Sequence, residues 1–502
     1  MRFQLTAAVF AALTVVLPMQ AAQAQPANDA TVLALASRID NNSFDRAQLM
    51  IGNQMQYWQP VFDTLLVVQA DGSIAPNMAT DWAYTEGNTV LTLTLRDGIR
   101  FTDGTAFDAD AVRANFEYLR AGGGQNSFTM ASISEIEIVS PLEIRLHLSE
   151  PDPALLINLG LVGGAMASPA SLTGQSDANN PIGSGPYIYD RDQSVAARVY
   201  VYQRNPDYWN AQAFPFDTVT LTPMVDQVAR LNALRAGQID VGLGDARTIA
   251  EAEASGLVVN SNGVDFVGLI LADRTGALAP AMGDVRVRRA LAMAMDAQSI
   301  LRYIDMGRGS LTNQIFPSVS EAYLPELDSV FPYDPEAARA LLAEAGYPDG
   351  FTLSMPEIAS FSNFNPVVEQ MLAAIGVTVD WVQIAPNTTI TELRSGRYPA
   401  YVFQFGYQGT WAEMLKFTRP TSPWNTSQVN DPALVALVDA AQMATGDAQV
   451  AAYQAVNRYL VDNVWFAPWY RRDTIYLSNA ETLVTMHGTN VVPHIRNFAR
   501  AD

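Results

Sequence analysis

A chain of 502 residues with no cysteine and an export-type leader must hold itself together by its hydrophobic core alone. The leader is short. Arg2 gives a positive start, residues 5–17 are apolar, Pro18 breaks the run, and Ala22-Gln23-Ala24 forms a small-x-small pattern. The apolar run is shorter than the ~20 residues a bilayer requires, so it reads as a secretory signal peptide cleaved after Ala24 rather than an anchor. Lipid attachment at the cut is excluded, because no Cys is there. Cleavage removes Arg2 and no acid, so it deepens the formal charge of −21 by one unit. That charge opposes binding to nucleic acid or to an anionic membrane surface. With 49% hydrophobic and 16% charged residues the composition is globular, and the length suits two to four domains. A periplasmic protein without a second long apolar run is expected.

Hydrophobic periodicity changes along the chain. Residues 31–36 read as a first strand and 62–68 as a second apolar segment, closed by Asp71-Gly72. The clearest hairpin pairs 82–84 with 90–95: Leu91, Leu93 and Leu95 fall on one face, Thr92 and Thr94 on the other. Asp108 should cap a helix reaching residue 120, with Val112, Phe116 and Leu119 inward. Residues 136–139 and 143–148 form a second hairpin. Strands are expected at 187–189, 197–202 and 219–222. Asp226 then starts a helix through Arg235, ended by Gly237, and 239–241 begins another strand, a strand–helix–strand unit. Beyond residue 284 the texture turns helical. Asp284, Asp296, Asp334 and Asp447 read as caps, and strands are expected at 351–355, 377–382, 401–406 and 474–477. No Pro/Ser/Gly-rich linker separates domains, as expected of lobes whose segments interleave.

Motifs for chemistry are poor. His147, His487 and His494 are not at metal-ligand spacing, so no metal site is expected. Gly183-Ser184-Gly185 is not a nucleophile elbow, because it precedes a strand where the elbow requires a helix. It reads as a turn whose glycines supply unusual backbone angles. Gly122-Gly123-Gly124 lacks the Lys-Ser/Thr of a phosphate loop and reads as a flexible connection. No catalytic residue and no cofactor is called for. Aromatics in polar surroundings are more suggestive: Tyr57-Trp58, Tyr208-Trp209, Tyr407, Trp411, Trp424, Trp465 and Trp469 suit either a ligand cleft or core packing.

Several segments, in order, resemble a known family. Residues 70–82 and 96–107 flank the first hairpin; 181–187 read Pro-Ile-Gly-Ser-Gly-Pro-Tyr; 204–209 read Arg-Asn-Pro-Asp-Tyr-Trp. A helix at 229–240 ends Gly-x-x-Asp, 284–291 read Asp-Val-Arg-Val-Arg-Arg-Ala-Leu, and Tyr333-Asp334-Pro335-Glu336 leads to Gly346-Tyr347. Together they resemble the family 5 extracytoplasmic solute-binding proteins of ABC importers, the peptide-binding family. The resemblance implies an α/β, two-lobed periplasmic-binding-protein fold of the large three-domain type, with the ligand cleft between the lobes. Domain I would take 25–55, 185–272 and 474–502, domain II 56–184, and domain III 273–473. It implies no enzyme activity, a small-molecule or short-peptide ligand, an inner-membrane ABC permease as partner, no nucleic acid, and a monomer. Oligosaccharides, opines and metal chelates are the alternative ligands, and a secreted hydrolase is the alternative of another class.

One departure stands out. The family's peptide binders carry Gly-Trp-x-x-Asp after the strand at 401–406, and its Asp pairs with the peptide's α-ammonium. Here Tyr407 stands in the Trp position and Thr410 in the Asp position. A neutral hydroxyl does not replace a carboxylate in a desolvated ion pair. Either nearby Glu413 substitutes, or the ligand lacks a free α-amino group and Tyr407 and Trp411 stack on it. Tyr407, Thr410, Trp411 and Glu413 are therefore the expected ligand-binding residues.

Overall fold

Alternating apolar residues form strand β1 (Val32–Ser37), and the largest sheet is arranged around it. The computed structural model describes residues 31–501 except Gly123, Gln125, 174–177 and Asn490. The expected leader, residues 1–24, and the centre of the triple glycine lie outside the described residues. Next along the chain, β2 (Ala79–Thr85) and β3 (Val90–Leu95) form the expected hairpin. Leu91, Leu93 and Leu95 are buried and Thr94 is exposed, each buried leucine contributing about 2 kcal/mol. Helix α1 (Ala109–Ala121) packs Val112, Phe116 and Leu119 inward, and Asp108 caps it by accepting from the Ala111 N–H. Strands β4 (Ile133–Ser140) and β5 (Glu143–Leu148) complete a four-stranded antiparallel sheet, ordered β2-β3-β5-β4.

Strands β6 (Tyr187–Tyr189), β7 (Tyr200–Arg204) and β8 (Thr218–Pro223) extend the large sheet on one side of β1. Helix α2 (Gln227–Arg235), capped by Asp226, crosses over to β9 (Val241–Leu243) on the other side. Both β8 and β9 run parallel to β1, as a strand–helix–strand unit requires. The expected strand at 197–202 starts only at Tyr200, because Ala197 sits in a left-handed turn (φ 61°) closed by the Val195–Val199 bridge. Of the apolar segment 62–68, only Leu66–Val68 is extended.

The long strand β10 (Val258–Leu271) leads into helices α3 (Val285–Met293) and α4 (Ala297–Ile304) and the short strand β11 (Gly309–Leu311). Then follow α5 (Pro335–Glu344), β12 (Phe351–Glu357), α6 (Asn365–Ala373), β13 (Val377–Gln383) and β14 (Ala400–Phe405). Helices α7 (Thr410–Phe417), α8 (Pro432–Met443) and α9 (Gly446–Asp462) precede the second long strand, β15 (Phe466–Ser478). Asp284, Asp296 and Asp334 cap α3, α4 and α5 as expected. Asp447 does not cap α9. The helix begins at Gly446 with Thr445 at the cap, which places Asp447 in the first turn, where its charge faces the positive end of the helix.

Strands β10 and β15 tie the molecule together. They pair antiparallel over almost their whole length, with register breaks between Asn262 and Asp265 and between Val267 and Gly268. On one side of the first break, Ile475 and Leu477 pack in a core with Ala36, Leu231, Leu234 and Ile239. On the other, Val267, Leu269 and Leu271 pack with α3 and α6 in a different core. The chain is thus α/β and two-lobed, and the expected division at 473/474 falls inside β15. Gly268 is required by close approach: a Cβ there would lie 2.4 Å from the Ala467 carbonyl.

Candidate functional site

Parallel strands β1, β8 and β9 end on the same edge of the sheet, the place where open α/β sheets leave a crevice for ligands. A cavity of about 780 Å³ lies there. One wall comes from the segments that follow those strands: Arg38 after β1, Val225 and Arg230 after β8, and Gly244 to Arg247 after β9. The facing wall comes from the end of α4 (Ile304, Asp305, Arg308), the loop carrying Ser360, Ser362 and Asn363, and Gln404 of β14. The floor is Asp265 of β10 and Arg472, Asp473 and Thr474 of β15, next to the first register break.

Charges on the floor hold one another. Arg472 donates from Nε and Nη2 to Asp305 at 2.9 and 2.6 Å, and the buried Tyr470 hydroxyl donates to the same carboxylate at 2.6 Å. Gln404 donates to Asp265 at 3.0 Å, and burial pushes the Asp265 carboxyl above its ordinary range. Burial acts likewise on Asp473, which accepts from Ser261 at 3.2 Å. Beneath the floor, Arg471 is buried and donates to the carbonyls of Val264 and Gln314, both at 2.9 Å. Desolvation pulls its pKa down to about 10.

The four residues expected from sequence lie together at the end of β14, but none of them lines this cavity. The Tyr407 hydroxyl and Thr410 Oγ1 are 3.0 Å apart, Ser320 Oγ is 2.8 Å from Thr410 Oγ1, and Thr410 donates to Glu321. Burial pushes the Tyr407 phenol up. Trp411 is buried with its ring 6.4 Å from that of Tyr453. Glu413 is enclosed. It accepts from Lys416 Nζ at 2.6 Å and from the Gln408 N–H at 3.1 Å, and desolvation raises its pKa while Lys416 opposes the rise. Lys416, the chain's only lysine, also donates to the Gly406 carbonyl at 2.8 Å. The corner abuts residues 151–157: Gln442 donates to the Pro151 carbonyl at 2.9 Å, and Ile157 lies so near Gly409 that a Cβ would meet it at 2.9 Å. Glu321, which sequence reasoning passed over, is the exposed carboxylate at Thr410; it comes from a loop 89 residues away.

The other singled-out residues are structural. Tyr208 and Trp209 donate to the buried Asp63 at 2.9 and 3.1 Å, and Arg96 stacks on Trp209 at 4.0 Å. Tyr57, Trp58, Trp465 and Trp469 are buried in the core. Gly183 and Gly185 do not adopt left-handed angles, contrary to expectation. They are needed because a Cβ would lie 2.1 and 2.5 Å from the Val61 carbonyl. Ser184 is buried against Met78. His147 pairs with Glu137 at 3.0 Å, and His487 faces the Val68 carbonyl. Among the described residues no group of three or more His, Asp or Glu could hold a metal, and no helix is long and apolar enough to cross a membrane.

The profile of the bacterial extracellular solute-binding proteins, family 5 (middle region), matches residues 73–425. The glutathione-binding protein GsiB of Salmonella paratyphi A is 28% identical over 332 residues, 63% of this chain and 62% of that protein. The chain thus spans less than two thirds of that relative's length. The glutathione-binding protein GsiB of Pectobacterium atrosepticum is 26% identical over 424 residues, 78% of each. HbpA2 from Haemophilus parasuis has the same fold, with a TM-score of 0.83 at 20% identity, over 94% of this chain and 100% of that one.

Proposed function

The chain belongs to family 5 of the bacterial extracellular solute-binding proteins, and from that membership we propose that it is the periplasmic receptor of an ABC importer. It takes a small organic solute, a short peptide or peptide-like compound, into the cavity between its lobes. It then hands the solute to an inner-membrane permease and performs no chemistry. The observation that carries this reading is the position of the cavity. Its two walls belong to different hydrophobic cores, and the strands beneath it, β10 and β15, break register beside Asp265. Closure on a solute then needs bending only there, and a solute that touches both walls favours the closed form. Glutathione is itself a peptide, so the relatives' names support a peptide-like ligand. A hydrolase has no such support, since the one candidate nucleophile, Ser184, is buried in a turn.

The corner at Tyr407, Thr410 and Trp411 is read as a second contact region, where Glu321 takes the carboxylate role expected of Glu413. Glu413 is committed to Lys416 and to the Gln408 N–H, whereas Glu321 is exposed and has no cationic partner among the described residues. The leader is read as cleaved after Ala24, giving a mature chain that starts at Gln25. Calorimetry with di- and tripeptides, glutathione, an oligosaccharide and a metal chelate tests the receptor reading, with chromatography of the recovered solute. Saturable binding with the solute recovered unchanged is expected; conversion of any solute to product would overturn it. The intact mass of the exported protein tests the cut.

A further inference from the structure

The cavity runs against the charge of the chain that surrounds it. Acids outnumber Lys and Arg by 51 to 30 overall, yet the cavity is lined by five arginines and four aspartates. Two of the aspartates are spoken for: Asp305 by Arg472 and Asp245 by Arg247. The other two, Asp265 and Asp473, accept from Gln404 and Ser261, and burial raises both carboxyls above their ordinary range. Three arginines remain. Arg38 is exposed to the cavity and its side chain makes no hydrogen bond or ion pair among the described residues. Arg230 is buried and spends Nε and Nη1 on the carbonyls of Leu243, Met224 and Val225, with no carboxylate in contact. Arg308, on the facing wall, has a long ion pair with Glu253, at 3.9 Å, and its charge also acts on Asp473.

Arg38 and Arg230 are close enough that the charge of the first disfavours the charge of the second. Two guanidiniums facing one cavity without an anion disfavour each other's charge, and while Arg230 ties three carbonyls together, Arg38 makes no bond in the fold that would need its charge. An oxyanion placed between them reverses the sign of the interaction: Arg38 can meet a carboxylate in a planar, two-point fashion, and Arg230 has Nη2 left to donate.

We propose that the cavity takes an acidic solute, with one carboxylate seated between Arg38 and Arg230 and Arg308 reaching it from the opposite wall as the lobes close. The proposal rests on the receptor reading and deepens it: the anion is what bridges the two walls. A neutral solute would leave Arg38 desolvated without a partner, and Arg230 with carbonyls alone, on closure.

The test is calorimetry at about 0.15 M salt, where long-range repulsion by the acidic surface is largely screened. The probes are reduced glutathione, glutathione diethyl ester, a Glu-containing dipeptide, citrate and a neutral disaccharide. The proteins are the wild type, Arg38→Gln and Arg308→Gln, with melting curves to show that each variant is folded. At least one carboxylated probe should bind, its ester should bind at least about tenfold more weakly, and Arg38→Gln should weaken the acid about tenfold or more while hardly changing the ester. Equal affinity for acid and ester, or an acid whose binding survives both substitutions, overturns the proposal. Binding of the disaccharide while every acid fails also overturns it and leaves the receptor reading standing. Failure of every probe counts against both.

Discussion

The end of strand β14 separates two polar regions that solve the same problem in opposite ways. On one side is the cavity, with Gln404, Asp265 and Arg38, whose side chain has no hydrogen bond or ion pair among the described residues. On the other is the corner of Tyr407, Thr410 and Glu413, where polar side chains are buried and answered by another protein group. A buried network whose members are satisfied fixes a shape. A charge left without a partner in a cleft holds a place for something that is not part of the chain. The two regions therefore differ in what a substitution should do: among the enclosed groups of the corner it should cost stability beside any contact Glu321 makes, at Arg38 in the cavity affinity alone.

The largest stability effect should come from Lys416→Met. It removes the cation from a carboxylate that is 1% exposed, and an orphaned buried charge costs about 3 kcal/mol or more. The pH dependence follows from the direction of the Glu413 shift. Burial raises its pKa above the ordinary 4.5, so the folded state holds the proton more tightly than the unfolded state does. Without Lys416, which lowers it, the folded value in the variant is higher still; the loss is full above that value and shrinks as pH falls through it, because protonation neutralises the orphan. Urea unfolding at about pH 8 and about pH 5 should show the greater loss at the higher pH. An equal loss at both would mean that Lys416 acts by packing on Phe405 and Phe417.

Next in size is Arg472→Met at the cavity floor. Asp305 would keep the Tyr470 hydroxyl and lose two guanidinium bonds, a cost of about 2 kcal/mol. Because Arg472 lies just past the register break, the variant should also shift the balance of open and closed forms, read by small-angle scattering with and without ligand. A stability loss with unchanged scattering would place this pair with the corner, as scaffold.

Thr410→Val probes the corner more gently. It deletes a hydroxyl that meets Tyr407, Ser320 and Glu321 and keeps the volume. A loss of about 1 kcal/mol is expected in chemical denaturation, together with greater freedom for Glu321. Peptide affinity should fall as well, as the reading of the corner as a second contact region requires; unchanged affinity would make the corner scaffold alone.

The contrast also marks what could be read from the chain. Hairpins with period-two leucines, helices announced by Asp caps and the strand–helix–strand unit were legible, because local physics alone decides them. The corner was legible as a motif, since its residues are contiguous. The cavity was not. Arg38, Arg230, Arg308 and Arg472 are far apart in sequence and sit among 29 arginines, and nothing local distinguishes a guanidinium that bonds carbonyls from one that waits. Glu321 escaped for the same reason. The role of Gly183 and Gly185 was misread because the atom they avoid, the Val61 carbonyl, lies more than a hundred residues upstream.

The smallest stability effect is the sharpest test of the comparison. Arg38 is exposed, bonds to nothing among the described residues and opposes the charge of Arg230. Its removal takes away no hydrogen bond or ion pair among the described residues and relieves a like-charge interaction. Arg38→Ala should therefore leave the unfolding free energy within about 0.5 kcal/mol of the wild type, on the side of higher stability. Raising the salt concentration should erase even that difference, since screening removes the repulsion that the substitution relieves. Paired urea titrations at low and high salt read both effects. A loss of more than about 1 kcal/mol would mean that Arg38 is held by the fold after all. The cavity and the corner would then be two parts of one scaffold, and the division between a region built for stability and a region built for a ligand would fail at its clearest residue.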